Sequence, residues 1–368
     1  MQTTTDIKRY HDSTKLLFHM ERVIEHFDYN KRIPPIHIDV GLTKRCNMLC
    51  SFGFCKFQDL NGESIEKDAL ITNLVKSSAK AGVKSLGFIG DGEPTMNLEC
   101  FNALNVGKNE GLSMAISTNG ILVDNEYKQK TILESCEWMR FNISAYTPEA
   151  YRKIHNSNKR DIVFQNVRDI VRLKKQFNYK CDIGIQMVFT PDNMIDEIIP
   201  LSQFAIDSGV DYFVIKQCSL PDEGETGMTQ FDLNMYNNEN VINILKYAEN
   251  MSTKDTDITP KWNIMELKGE KPYDKCLAIP LIFEVSGDGG CYPCGYFFGG
   301  KRKDMCMGNV HDNTVEEIIN SERYWKIIEY LKTDFKVNID CKGCCRMDAC
   351  NIFLDGYVNK RPSGINFI

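Results

Sequence analysis

The sequence predicts an α/β fold: six strand–helix units around a parallel sheet, forming an open or incomplete barrel, followed by a smaller cysteine-rich domain. Three observations lead there. Short apolar runs at His37–Leu42, Ser85–Ile89, Met114–Ser117, Arg140–Ala145, Ile183–Phe189 and Tyr212–Ile215 alternate with helical patterns over about 65–81, 98–109, 126–135, 147–175 and 195–208. Such alternation implies right-handed crossovers and a parallel sheet. Residues with recognisable chemistry follow these runs, where parallel α/β folds keep their sites. From about residue 255 the alternation stops, and cysteines, glycines and aromatics increase.

The elements follow in order. Residues 12–28 read as an amphipathic packing helix, with Leu16, Leu17, Met20, Val23, Ile24 and Phe27 at helical spacing, and Pro34-Pro35 ends this extension. The first strand leads into a loop carrying Cys46, Cys50 and Cys55. Gly90, Asp91, Gly92, Glu93 and Pro94 follow strand 2. Ser117 and Asn119 end strand 3, and Asn142, Ser144 and Tyr146 end strand 4. Lys216, Gln217 and Cys218 end strand 6. Residues 219–227 are turn-rich and acidic, and 239–250 look helical. The boundary falls near 235–255, giving a helical extension over 1–34, the barrel over 35–240 and the cysteine-rich domain over 241–368. In that domain Leu281–Gly290 reads as a hairpin and Val315–Ile328 as a helix.

Composition narrows the function. The chain has 368 residues, 42% hydrophobic and 26% charged, an ordinary globular balance for one large domain or two. A net charge of −6 argues against general binding to nucleic acid or anionic membranes. No apolar run is long enough to cross a bilayer. The amino terminus lacks the basic-then-apolar order of a signal peptide, so a cytoplasmic location is expected. In that reducing setting the 15 cysteines are not expected to be disulfides. Their clustering at 46–55, 276–306 and 341–350 points to metal; Cys100, Cys136 and Cys181 read as core. Six histidines, none paired at ligand spacing, weaken a zinc-hydrolase reading.

Three thiolates on one loop can converge on an iron–sulfur cluster and leave one iron open to an exogenous molecule. They can equally bind zinc or pack as small buried residues. In the second field, Cys276, Cys291, Cys294 and Cys306 precede Cys341, Cys344, Cys345 and Cys350. Two separated pairs can close a zinc site or a cluster, and spacing alone does not separate these.

Taken together, residues 35–368 resemble the radical S-adenosylmethionine (SAM) superfamily, with an auxiliary-cluster domain of the SPASM or Twitch type. The resemblance implies a partial (β/α)6 TIM-like barrel and a C-terminal cysteine-rich α+β domain. It implies a [4Fe–4S] cluster on Cys46, Cys50 and Cys55. The family's motif is C-x3-C-x2-C; here the second interval is two residues longer, with Phe54 in the aromatic place before Cys55. Gly90, Gly92 and Glu93 resemble the motif that meets the SAM amino group. Ser117, Asn119, Asn142 and Ser144 match positions that approach its carboxylate or ribose. Cys276, Gly289 and Cys294 match the first half of the SPASM pattern, and Cys341, Cys344 and Cys350 most of the second. Leu354 stands where a further cysteine is expected. The simplest arrangement is one auxiliary cluster on Cys276, Cys294, Cys341 and Cys344.

The chemistry implied is reductive cleavage of SAM to a 5′-deoxyadenosyl radical, which takes a hydrogen atom from substrate, with electrons from a flavodoxin- or ferredoxin-type donor. Cys218 is a candidate hydrogen-atom donor, with a buried core thiol as the plainer reading. Lys216, Gln217, Tyr146 and Gln186 are candidate cavity residues. About 35 residues before strand 1 are too few for a leader-peptide module. With a single-cluster pattern, this favours oxidation or epimerisation of a sugar-like or aminocyclitol substrate. The runner-up is modification of a peptide or protein side chain. An iron–sulfur carrier or scaffold and a zinc-binding interaction module are the readings of other classes.

Overall fold

In a computed structural model, residues 13–52, 60–193, 195–218, 232–267, 270–298, 304–341, 345–361 and 363–367 are described. The strands are β1 His37–Val40, β2 Ser85–Phe88, β3 Ser113–Thr118, β4 Cys136–Asn142, β5 Asp182–Phe189, β6 Tyr212–Gln217, β7 Asp257–Pro260, β8 Ile282–Val285, β9 Gly290–Tyr292 and β10 Gly308–Asn309. They form one sheet in the order β10-β9-β8-β1-β2-β3-β4-β5-β6-β7, and β1 through β7 pair in parallel.

The six expected strands are present. The fourth begins earlier than its apolar run, at Cys136, because exposed Glu137 and half-buried Trp138 break the apolar pattern without breaking the ladder. The long helical pattern from 147 divides into Pro148–His155 and Arg160–Phe177. Asn156 between them takes a left-handed conformation (φ 47°) that ends the first helix. The alternation also continues further than its composition suggests. The helix Glu239–Asn250 returns the chain to β7, a four-residue strand that adds to β6 in parallel.

Helices cover one side of the sheet. Met139, Phe141, Ile183, Ile185, Phe213 and Ile215 join Phe164, Val167, Ile170 and Leu201 in the main core. Alternation along each strand sends the intervening side chains to the concave inner face. There Ser117, Arg140, Asn142 and Gln186 meet through hydrogen bonds of 3.2–3.3 Å.

The hairpin expected over 281–290 forms as β8 and β9. Its first strand also pairs in parallel with β1, setting Asp39 beside Glu284. The cysteine-rich region thereby extends the barrel sheet on its β1 side. The N-terminal helix seals this seam: Leu16 and Val23 pack with Leu277, Ala278, Leu281 and Leu354, and Arg22 donates to the carbonyls of Pro34, Pro35 and Gly82. Leu17 departs from the expected apolar face and is exposed, because Ser13–His19 winds as a tighter 3-10 helix. Among the described residues, no helix is long and apolar enough to cross a membrane.

The hairpin turn also grips the two loops that carry the motifs. Asp91 accepts from Ser286 Oγ (2.6 Å) and Gly287 N–H (2.9 Å), and buried Lys44 pairs with Asp288 at 2.9 Å. The second oxygen of Asp91 is buried without a partner, and burial raises this carboxyl to about 6. The folded state therefore holds the Asp91 proton more tightly than the unfolded chain. That contribution to stability is complete below about pH 4 and is lost as pH rises through about 6. Asp91→Asn removes the titration. The variant is expected to gain on the order of 3 kcal/mol relative to wild type between about pH 4 and pH 7. Denaturant unfolding at the two pH values measures it, and a difference that does not change with pH contradicts this role.

Candidate active site

The cysteine loop is held at both feet. Lys44 N–H donates to the Glu63 carbonyl at 2.7 Å, Thr43 Oγ1 donates to the same carbonyl, and Ser51 N–H donates to the Ile154 carbonyl at 2.8 Å. Between them Cys46 and Cys50 are half-buried. Phe54 and Cys55 lie outside the described residues.

The loop after β2 lies directly against this segment. Gly92 N–H donates to the Thr43 carbonyl (2.9 Å) and Glu93 N–H to the Arg45 carbonyl (2.8 Å). A Cβ on Gly92 would stand 2.1 Å from the Arg45 carbonyl oxygen, so only glycine allows this approach. Gly90, at φ +139°, supplies the bend that starts the loop.

The buried Glu93 carboxylate fastens the loops after β2 and β3 to each other. Oε1 accepts from Thr95 N–H (3.1 Å), Thr95 Oγ1 (2.6 Å) and Thr118 Oγ1 (2.6 Å), while Oε2 accepts from Asn119 N–H (2.7 Å). Burial still raises its carboxyl above the ordinary range, against the pull of those donors. Asn119 in turn donates from Nδ2 to Asn47 Oδ1 at 2.6 Å, which ties β3 to the cysteine loop. Ser117 donates to Asn142 Oδ1 (3.2 Å) on the inner face, and Ser144 Oγ accepts from Val188 N–H (3.1 Å). The residues expected to surround SAM thus come to one end of the barrel.

Sequence reasoning missed His155. Its Nε2 accepts from Ser144 N–H (3.0 Å), which leaves Nδ1 to carry the proton toward Cys50 Sγ at 3.3 Å. Burial lowers its pKa to about 3, so the ring is neutral. Tyr151, its ring centroid 4.5 Å from that of His155, has a buried hydroxyl without a partner close enough to Cys50 to feel its charge. A lone histidine 105 residues from Cys50 has no local spacing to betray it.

Cys218 is buried with Val188, and Phe52 of the cysteine loop packs against this pair. Tyr146 departs from its expected place in the cavity. Its ring packs with Arg160, Phe164 and Phe204 on the helical side, because Glu197 takes the Tyr146 and Thr147 N–H groups and pulls the chain outward.

In the second field, Cys276, Cys294, Cys341 and Cys345 lie within electrostatic reach of one another. Burial raises each of Cys276, Cys294 and Cys345, and the neighbouring thiols raise them further; Cys276 reaches about 12. Buried sulfurs of this kind become thiolates when a cationic centre compensates them. Asn351 Nδ2 is buried without a partner in the vicinity of Cys276, a donor suited to a negative sulfur. Cys344 lies outside the described residues. Cys350 does not join the group: the helix Asp348–Val358 carries it to the apolar seam with Leu277 and Leu354, near Arg346. Cys291 and Cys306 form a separate neighbouring pair. Among the described residues, no three metal-ligating side chains are gathered closely enough to hold a single ion.

The model of the radical SAM superfamily matches residues 40–205, and that of the iron-sulfur cluster-binding SPASM domain matches residues 276–345. The chain is a radical SAM protein with a SPASM domain. Along its length this radical SAM protein is 22% identical to a tungsten-containing aldehyde ferredoxin oxidoreductase cofactor-modifying protein of Pyrococcus furiosus, over 86% of this chain and 88% of the relative. It is 24% identical to a cysteine-type anaerobic sulfatase-maturating enzyme of Clostridium perfringens, with the same coverages. The fold resembles that of Streptococcus suis SuiB, with TM-score 0.65, 16% identity, and 89% and 75% of the two chains covered. It also resembles anSMEcpe, solved with AdoMet and the Cp18Cys peptide, with TM-score 0.60, 16% identity, and 86% and 91% covered.

Radical SAM and SPASM domains carry [4Fe–4S] clusters and SAM, and the donors here fit both. The half-buried thiols of one loop, with the unpartnered Tyr151 hydroxyl near Cys50, suit one cluster. The four neighbouring thiols beside Asn351 suit another. A donor to a ligating sulfur raises a cluster's reduction potential. His155→Phe is accordingly expected to lower the potential of the first cluster by on the order of 50 mV. Spectroelectrochemical titration reads the shift, and an unchanged potential excludes a His155–Cys50 bond in the loaded protein.

Proposed function

We propose that this radical SAM enzyme is a maturase, modifying a side chain of a peptide or protein. The observation that carries the reading is the full-length similarity to a sulfatase-maturating enzyme and a cofactor-modifying protein, each covered over 88%. The sequence alone favours a sugar-like substrate, oxidised or epimerised; relatives aligned through both domains favour the peptide alternative.

When bound and reduced, the cluster and SAM supply hydrogen-atom abstraction from an unactivated C–H bond. The chain's residues provide the setting. Cys46, Cys50 and Cys55 hold the first cluster, and Cys276, Cys294 and Cys341, joined by Cys344 or Cys345, hold an auxiliary one. Gly90 and Gly92 let backbone carbonyls approach the SAM ammonium, and Glu93 offers it the free lone pair of Oε2. Ser117, Asn119, Asn142 and Ser144 orient its remaining polar groups. Cys218, immediately after β6, is the candidate thiol for returning a hydrogen atom. A flavodoxin- or ferredoxin-type protein of the cytoplasm supplies electrons.

The test is substrate-dependent formation of 5′-deoxyadenosine by reduced, reconstituted protein. Cysteine- and serine-containing peptides are expected to stimulate it and to lose two hydrogens, as read by mass spectrometry. Stimulation by aminocyclitols and not by peptides overturns the peptide reading.

A further inference from the structure

Three cations line one side of the barrel interior. Arg140 lies on β4, Lys216 on β6, and Lys261 immediately after β7. The register sets the last two level: Ile215 pairs with Pro260, and Lys261 N–H donates to the Ile215 carbonyl at 2.9 Å. Arg140 points inward, with Nε–H on Ser117 Oγ at 3.3 Å and its guanidinium 5.3 Å from the centre of the Trp138 ring.

Arg140 and Lys261 have no carboxylate within ion-pair distance among the described residues, and the Lys261 ammonium has no hydrogen-bond partner there. Two inner-face acids, Asp39 and Glu284, are engaged elsewhere. Asp39 takes His37 at 2.8 Å and Arg346, while Glu284 accepts from Gly295 N–H. Burial, then Lys216 and Arg140, hold Lys261 well below the ordinary lysine range. All three cations nevertheless keep part of their surface open. They are enclosed by the barrel and still face an accessible space.

A buried cation without a counter-charge is costly. Enclosed cations that converge on an open space form a receptor for an oxyanion, and guanidinium and ammonium groups both suit carboxylate and phosphate oxygens. We propose that Arg140 and Lys261, with Lys216 beside them, bind an anionic oxygen group of the substrate, a carboxylate or a phosphate, and thereby set how deeply the substrate enters the barrel. The inference deepens the function proposed above and rests on it only in calling the bound molecule a substrate.

The experiment uses the full chain, anaerobically reconstituted, and follows thermal unfolding at constant ionic strength. The probes are inorganic phosphate and N-acetyl-aspartate amide, against chloride. At least one probe is expected to raise the melting temperature of wild type, and its apparent affinity is expected to fall about tenfold or more in Arg140→Gln and in Lys261→Met. Lys261→Arg keeps the charge and is expected to keep the response. Without added anion, Lys261→Met is expected to melt higher than wild type, because it removes an uncompensated buried charge. A response to phosphate alone assigns a phosphate group, and a response to the amide alone assigns a carboxylate. No protection of wild type by either probe, undiminished protection in both variants, or a Lys261→Met protein that melts lower or fails to fold overturns the proposal. Failure of wild type to form 5′-deoxyadenosine would overturn the enzymatic reading instead, and leaves the anion result to be judged by the melting data.

Discussion

Replacing Glu93 with alanine is expected to cost on the order of 4 kcal/mol of stability and to weaken SAM binding by about tenfold or more. The two losses have separable causes. Both carboxylate oxygens are occupied, so truncation leaves the N–H groups of Thr95 and Asn119 without their acceptor in a dry place, along with the hydroxyls of Thr95 and Thr118. These donors come from the loops after β2 and β3, and Asn119 carries the connection on to Asn47. The cysteine loop would lose its brace. Glu93→Gln separates the roles. The amide keeps the shape and one acceptor, so most of the stability is expected to return. The charge that attracts the SAM ammonium does not return. Equilibrium unfolding and SAM titration measure the two effects, and a glutamine variant with wild-type SAM affinity would make Glu93 a purely structural residue.

Gly92→Ala should be as severe for a different reason. The new Cβ would stand 2.1 Å from the Arg45 carbonyl oxygen and 2.7 Å from that of Thr43. Both obstacles are backbone, and both carbonyls are acceptors in the pairing between the two loops. Relief therefore requires the start of the cysteine loop to move, which breaks the Gly92–Thr43 and Glu93–Arg45 hydrogen bonds. A loss of at least about 3 kcal/mol is expected. Iron per chain should fall to the share of the auxiliary site, because Cys46 follows Arg45 directly. Iron analysis of the anaerobically reconstituted variant checks this, and full iron content with normal SAM binding would contradict the close approach.

The sequence was informative where a local pattern met a local cause. The six barrel strands, the loops after them and the 281–290 hairpin all follow from periodicity and glycine placement. Glu93 was readable as a ligand residue, but its grip on Thr118 and Asn119 spans some 25 positions and has no local signature. His155 is hidden for the same reason, through its contact with Cys50. The helix Glu239–Asn250 was legible, but β7 was not: Asp257-Ile-Thr-Pro is short and half polar, and pairing with β6 makes it a strand. The resemblance to the SPASM pattern placed Cys350 with Cys341 and Cys344; the helix from Asp348 carries that thiol to the apolar seam. The pairing of β8 with β1 joins segments more than 200 residues apart, which no periodicity reports.

The cation group has the same character. Arg140 and Lys261 carry no local signal in the sequence, and only the register of β4 through β7 brings them to one enclosed side with Lys216. Lys216 alone was marked by its position after an apolar run.

We propose that the lengthened loop still supplies three cysteine ligands to a SAM-cleaving cluster. Electron paramagnetic resonance of reduced wild type and Cys55→Ala, with and without SAM, tests it most directly when paired with a 5′-deoxyadenosine assay. Wild type should show one cluster signal that changes on adding SAM and should release 5′-deoxyadenosine; the variant should lose both and keep the auxiliary signal. A Cys55→Ala protein that retains the SAM-responsive signal and wild-type cleavage would show that the third ligand lies elsewhere.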